Sequence, residues 1–217
     1  MAKTTKLLKL PPYRPELYVK RTVAVSFWKD SNDLLWRATI FSRQIGHDTL
    51  STKAKTYVDL IMAIECSLKS LIMSLSLKDE TPESAYLVAR RCSHNLDRLY
   101  QEVKIRAKNR VKLLDRSAEE IIQKANNLGV GYRYDITAFM FLSQEDWFDR
   151  SRRSGWISSV INHDFIGKLH VVAHELNKLS GDTVKKYLGK YARVNTKRWE
   201  ETDARHSMFL TTLGTRF

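Results

Sequence analysis

The stretch TYVDLIMAIECSLKSLIMSL, residues 56–75, decides the fold. Its apolar side chains recur at alternating steps of four and three residues, the spacing of one face of an α-helix. They are Tyr57, Ile61, Ile64, Leu68, Leu71 and Leu75. No glycine occurs between Gly46 and Gly129, and Pro82 is the only proline between them. The pattern predicts a long amphipathic helix that runs from Ser51 or Thr52 to Leu77.

A second stripe with the same spacing follows. Thr81 and Pro82 are typical of a helix start, with a capping hydroxyl before a proline at the first helical position. The apolar positions after them are Ala85, Ala89, Cys92, Leu96, Leu99 and Val103. Because the link at residues 78–80 is short, the two helices must be antiparallel. The sequence therefore predicts a long antiparallel helical hairpin whose two stripes face one core.

Weaker patterns flank this hairpin. Residues 117–120 resemble a capping box, which predicts a third helix that ends near Gly129. An amphipathic helix is expected over residues 159–179, ended by Ser180 and Gly181, and a short basic helix over 183–191. For residues 18–41 two short helices are favoured, with a small β-hairpin as the alternative.

The predicted fold class is an all-α helical bundle built on this hairpin. Residues 1–16 are basic and contain three of the four prolines, which predicts a flexible arm. The bundle is assigned to residues 17–140. Residues 141–217 are expected to form a basic helical C-terminal extension of the same domain.

The charge points to the partner. With 37 Lys and Arg against 24 Asp and Glu, the formal charge is 37 − 24 = +13, which favours nucleic acid as the partner. No apolar run of membrane-spanning length and no signal-peptide core occurs, so we expect a cytoplasmic protein without a membrane partner. Cys66 and Cys92 lie within apolar helical patterns and are predicted to be buried reduced thiols.

The common catalytic signatures are absent. There is no Walker loop, dinucleotide-binding glycine pattern, HExxH motif or nucleophile elbow, which excludes most enzyme classes and predicts no cofactor. His163, His170 and His174 form a stripe on one predicted helix, but no carboxylate joins them. A solvated or partner-facing stripe is favoured, and no metal site is predicted.

Basic residues alternate with aromatic residues in two clusters of the C-terminal third. Cations neutralise phosphates and flat rings stack on unpaired bases, although rings can equally be core and charges a solvated face. The candidate nucleic-acid-binding residues are Arg150, Arg152, Arg153, Trp156, Lys185, Lys186, Lys190, Arg193, Lys197 and Arg198. The concentration of the clusters favours nucleic-acid binding.

Arg90, His94 and Asp97 would share one face of a continuous second helix, opposite its apolar stripe. Such a face is more often solvated or packed at a subunit interface. A histidine with an adjacent arginine is also the minimum set for metal-independent RNA cleavage, which makes Arg90 and His94 the candidate catalytic pair.

Three short motifs resemble the HEPN superfamily: Glu65-Cys66-Ser67-Leu68-Lys69, His94-Asn95-Leu96-Asp97-Arg98-Leu99-Tyr100 and Arg133-Tyr134-Asp135. The resemblance covers roughly residues 50–140. It implies a small helical bundle, often dimeric, of the kind found in prokaryotic defence and CRISPR-associated proteins, where many members are metal-independent RNases.

One departure from the family separates two functions. Catalytic members have an Arg, four to six residues and then His, whereas only three residues separate Arg90 from His94 here. We therefore favour a nucleic-acid-binding module, with RNA preferred to DNA, that forms a homodimer or one subunit of a larger defence or ribonucleoprotein assembly. The alternative is a metal-independent endoribonuclease with a displaced Arg90/His94 site.

Overall fold

The computed structural model describes residues 14–43, 50–77, 79–127 and 162–189. Within these ranges it contains helices and no strand, so the predicted all-α bundle is confirmed. The helices are α1 (Pro15–Arg43), α2 (Leu50–Ser74), α3 (Pro82–Arg91), α4 (Leu96–Ala107), α5 (Arg116–Asn127) and α6 (His163–Leu188). Of the predicted N-terminal arm, residues 1–13 lie outside the described part.

α1 is one unbroken helix of 29 residues, so the β-hairpin alternative and the two short helices predicted for residues 18–41 are both wrong. The run 29–33 that resembled a loop continues the helix because Ser31 is buried and bonded to α2. Its hydroxyl donates to the Ala63 carbonyl oxygen at 2.9 Å and lies 2.8 Å from the Ser67 hydroxyl. The flanking charged side chains face outward.

The described helices alternate in direction along the chain. The Ser70 hydroxyl, late in α2, donates to the carbonyl oxygen of Ala24, early in α1, at 2.8 Å, so these two long helices are antiparallel. Tyr57 and Phe165 meet near the starts of α2 and α6, with ring centroids 6.5 Å apart, which makes α6 parallel to α2.

The second half of the predicted hairpin is not one helix. α3 ends at Arg91 and α4 begins at Leu96, because Ser93 adopts a left-handed backbone conformation (φ 51°) that reverses the chain. Of the two helices in this half, α3 is therefore antiparallel to α2, and α4 runs back alongside α2. Both predicted stripes are nevertheless buried, and all their residues except Ala85, which lies in a second cluster, share one core: Tyr57, Ile61, Ile64, Leu68, Leu71, Leu75, Ala89, Cys92, Leu96, Leu99 and Val103.

The start of α5 also differs from the prediction. Asp115, not Ser117, caps this helix, because its carboxylate accepts from the Ala118 amide and the Ser117 hydroxyl, both at 3.0 Å. These hydrogen bonds, with that from Ala118 the stronger influence, lower the pKa of Asp115.

α6 passes through the predicted break at Ser180 and Gly181, so the described parts of the two predicted helices form one continuous helix, His163–Leu188. Gly181 permits close packing here instead of ending the helix. A Cβ atom on it would lie 2.9 Å from Nε1 of Trp28 on α1. The apolar side of α6 lies in the same core as α2, through Phe165, Leu169, Val172, Ala173 and Leu176.

Candidate functional site

The turn between α3 and α4 positions the histidine predicted as catalytic. His94 lies after the left-handed Ser93 and before Asn95, whose side chain accepts from the Arg98 amide at 2.9 Å and caps α4. The predicted common face of Arg90, His94 and Asp97 is therefore wrong, since the helix that would have aligned them is interrupted. An asparagine immediately before the apolar stripe of α4 was the sequence signal for this cap.

His94 is directed back onto α2, not away from the hairpin core as the helical projection predicted. Its Nδ1 lies 3.0 Å from both carboxylate oxygens of Glu65. Lys69, one turn further along α2, donates to Glu65 Oε1 at 2.7 Å. Glu65, Lys69 and His94 are called the His94 cluster below.

The His94 cluster pairs a buried carboxylate with a partly exposed imidazole. The Glu65 side chain is 8% exposed and that of His94 is 39% exposed. Two positive or polar partners compensate for the burial of the Glu65 charge. A carboxylate held on Nδ1 orients the imidazole, which allows a histidine to act as a general base or acid through its opposite ring edge.

Two aromatic rings extend the surface beside this cluster. Lys69 Nζ lies 5.9 Å from the centroid of the Phe27 ring on α1. Phe27 and Tyr86 of α3 have ring centroids 6.5 Å apart and planes within 17° of parallel. Arg90 and Arg91 are exposed in the last turn of α3.

Two of the predicted nucleic-acid-binding residues lie at one end of the bundle. Lys185 and Lys186, in the last turn of α6, are exposed there next to residues 108–112. The Tyr187 hydroxyl donates to the Arg110 carbonyl oxygen at 2.8 Å, and the Arg110 guanidinium lies 4.8 Å from the Tyr187 ring centroid. We call the five cations of these two segments the basic end: Lys108, Arg110, Lys112, Lys185 and Lys186.

The C-terminal ends of three helices favour the cations of the basic end. Arg110 Nη1 donates to the Leu75 carbonyl oxygen at 2.9 Å, just beyond the last residue of α2. α4 and α6 also end nearby, and cations are favoured at the negative ends of helix dipoles. Sequence reasoning missed Lys108, Arg110 and Lys112, because only the tertiary fold brings them next to α6.

The other predicted nucleic-acid contacts cannot be placed. Arg150, Arg152, Arg153, Trp156, Lys190, Arg193, Lys197 and Arg198 lie outside the described residues.

Of the three histidines in the predicted stripe, two are exposed to solvent and one contacts α1. His163 and His174 are exposed, whereas His170 Nε2 lies 3.3 Å from the Thr39 hydroxyl on α1. The rings of His170 and His174 have centroids 4.6 Å apart. In the part of the chain that the structure describes, no three His, Cys, Asp or Glu side chains are grouped to hold a metal ion.

Both cysteines are free thiols. Burial, followed by the negative charge of Glu65, raises the pKa of Cys66 to about 12, and burial also raises the pKa of Cys92. A raised pKa keeps a thiol protonated and unreactive near neutral pH. Cys92 is buried as predicted, whereas Cys66 is only partly buried.

A groove of about 930 Å³ separates α5 from α6. Carboxylates and amines both line it, and several pair within their own helix, as Lys168 does with Asp164 at 2.6 Å. Because the charges are mixed, the groove has no complementarity to a polyanion. Among the described residues, the His94 cluster and the basic end are the two sites with a directed chemistry.

Comparison with protein-family models, curated proteins and solved structures finds no match to this chain. The resemblance to HEPN domains therefore stays a prediction. Among the helices of the described ranges, none combines the length and apolarity needed to cross a bilayer.

Proposed function

We propose that this chain is a HEPN-like helical module that binds nucleic acid, RNA in preference to DNA, through phosphate contacts at the basic end. The observation that carries the proposal is the meeting of two basic segments far apart in sequence, 108–112 and 185–189. Neither segment contains a carboxylate. A concentrated positive surface of this kind attracts a phosphate backbone.

The basic end is held in place by specific contacts. Tyr187 binds the backbone of Arg110, and Asn109 adopts a left-handed conformation (φ 57°) that turns the chain between its cationic neighbours. Lysines on a fixed turn lose less conformational freedom on binding than lysines on a loose one. Geometry as well as net charge thus supports binding here.

Three of the nearby carboxylates are already paired with other cations. Arg106 is buried under this end and binds Glu80 at 2.8 Å, and it also binds Glu102. Lys104 binds Glu119 at 2.8 Å. Glu80 and Glu102 thus compensate the buried Arg106, and Glu119 is paired with Lys104, so these three carboxylates are committed to cations other than the lysines of the basic end.

The test removes four charges from the basic end. A variant with Lys108, Lys112, Lys185 and Lys186 changed to Gln should bind a labelled RNA more weakly by about tenfold or more. The slope of log affinity against log salt should also fall by about 2 to 3, since each lost phosphate contact removes roughly 0.7 for a single strand. Fluorescence anisotropy across a salt series measures both quantities.

The matched control removes the same charge elsewhere. Lys29, Lys55, Lys168 and Lys178 are also exposed, and their change to Gln should leave the salt slope nearly unchanged. If both variants lose affinity equally, net charge and not the basic end governs binding. If the unmodified chain binds no RNA or DNA even at low ionic strength, the proposed function is wrong.

The resemblance to HEPN domains supports RNA over DNA as the partner. It also supports a homodimer, or one subunit of a larger defence or ribonucleoprotein assembly, in the cytoplasm. Sedimentation of the purified chain, alone and with RNA, tests the homodimer directly. A monomer in both conditions would contradict it.

A second candidate function, metal-independent RNA cleavage, rests on the contact between Glu65 and His94. In such a reaction the imidazole takes the proton of a ribose 2′-hydroxyl, whose oxygen attacks the adjacent phosphorus to form a 2′,3′-cyclic phosphate, and the imidazolium returns the proton to the departing 5′-oxygen. Lys69 or Arg90 would stabilise the charge that develops on phosphate.

The cleavage assay incubates the chain with RNA in EDTA. Fragments should form with the unmodified chain and with His174→Ala, an exposed histidine outside the His94 cluster, but not with His94→Ala. An absence of fragments from the unmodified chain would reject cleavage and leave the binding proposal standing.

A further inference from the structure

The aromatic pair beside the His94 cluster combines exposure with order. Tyr86 is 41% exposed, and its ring is nearly parallel to that of the half-buried Phe27. The two rings are stacked, so Phe27 supports the Tyr86 ring in a fixed orientation while part of Tyr86 stays exposed. Flat, ordered rings are the surface on which an unpaired base stacks.

The core does not require Tyr86. α3 buries only two small side chains, Ala85 and Ala89, and its larger apolar residues Tyr86 and Leu87 remain about two-fifths exposed. A single exposed leucine is ordinary on a protein surface. An exposed tyrosine aligned with a second ring and bordered by cations is a more specific arrangement.

A chain of contacts through Lys69 and Glu65 links the Phe27 ring to the His94 imidazole. Lys69 lies over the Phe27 ring at 5.9 Å and binds Glu65 at 2.7 Å, and Glu65 binds His94. On α3, Arg90 is four residues after Tyr86 and therefore lies on the same side of the helix. One side of α3 thus places an exposed ring, Tyr86, beside an exposed cation, Arg90, which is complementary to a base and its adjoining phosphate.

We infer that the chain binds single-stranded RNA in preference to duplex, with one unpaired base stacked on the exposed Tyr86 ring, which Phe27 supports, and its phosphate near Arg90. The inference rests on the proposed nucleic-acid binding and specifies its substrate class. A duplex cannot use this surface, because its bases are already stacked on each other and their faces are covered.

The test compares three variants of α3 on defined oligonucleotides. Tyr86→Ala should weaken binding of a short oligoadenylate by roughly 5- to 100-fold, the effect of losing one stacked base. Tyr86→Phe restores the ring and should recover that loss. Leu87→Ala, at an equally exposed position on the same helix, should bind as the unmodified chain does. Thermal denaturation of each variant establishes that α3 remains folded.

Two further ligands locate the base. Affinity for a duplex of the same length should be insensitive to Tyr86→Ala, and an oligomer with 2-aminopurine should lose fluorescence on binding only when the ring is present. Equal affinity for single strand and duplex, with Tyr86→Ala binding like Leu87→Ala, overturns this inference and leaves the basic end as the binding site. Failure to bind either ligand overturns the proposed function and this inference together.

Discussion

Substitution of Gly181 by alanine tests the packing of α6 against α1. An alanine within a helix is normally more stable than glycine by about 0.5–1 kcal/mol, because glycine loses more backbone freedom on folding. At this position the added Cβ would lie 2.9, 3.0 and 3.2 Å from three atoms of the Trp28 indole. Overpacking of this kind costs about 1–3 kcal/mol.

The two effects oppose each other, and the overlap is the larger. We expect Gly181→Ala to lower the free energy of unfolding by about 0.5–2 kcal/mol. Gly167→Ala in the same helix is the matched control, since nothing lies within 4 Å of its Cβ position. That variant should be more stable by about 0.5–1 kcal/mol. The difference between the variants, about 1–3 kcal/mol, isolates the contact with Trp28.

Urea denaturation followed by far-ultraviolet circular dichroism measures these free energies. If Trp28 causes the loss, then combining Gly181→Ala with Trp28→Phe should reduce the cost of the alanine, and a double-mutant cycle gives the coupling. Equal stabilisation by Gly181→Ala and Gly167→Ala would refute the close approach. It would then follow that Gly181 does not determine how α6 packs on α1.

Two further predictions concern buried groups. Arg106→Ala should lower the free energy of unfolding by roughly 3–5 kcal/mol, because it leaves the buried Glu80 carboxylate without its partner; Lys104→Ala, which removes an exposed ion pair, should cost less than about 1 kcal/mol in the same denaturation assay. A similar cost for both would mean that Arg106 is not buried as described. Cys66 should resist a thiol reagent at neutral pH in the native chain and react in guanidinium chloride. Since its pKa is raised from 9.0 to about 12, the unfolded thiol ionises first. The free energy of unfolding should therefore fall as pH rises above about 9 and level off near 12, and rapid native labelling at neutral pH would contradict its burial.

Part of the candidate site was predictable from residue types. His94 was identified as the candidate base and Lys185 and Lys186 as phosphate contacts, because their chemistry is recognisable wherever they lie. Their partners were not predictable. Glu65 is 29 residues from His94, and the Arg110 backbone is 77 residues from Tyr187. Sequence spacing carries no information about such contacts.

The sequence by itself determined the helical class, the buried stripe of α2 and the burial of the stripe from Ala85 to Val103. Apolar periodicity is a local property, and a segment that shows it buries the same side chains whichever neighbour covers them. The direction in which each buried segment runs is not local. Ser93 reverses the chain at a point where the apolar spacing continues without a break, so only the fold separates α3 from α4.

Only the tertiary structure decided where helices continue. Ser180 and Gly181 are ordinary signals of a helix end, and residues 29–33 resemble a loop, yet α6 and α1 pass through both. A glycine inside a helix costs about 1 kcal/mol, and close packing against an indole ring more than offsets so small a preference. Ser31 likewise stays helical because its hydroxyl is satisfied by α2. Local preferences of this size are overruled by the burial and hydrogen bonds that a neighbouring helix supplies.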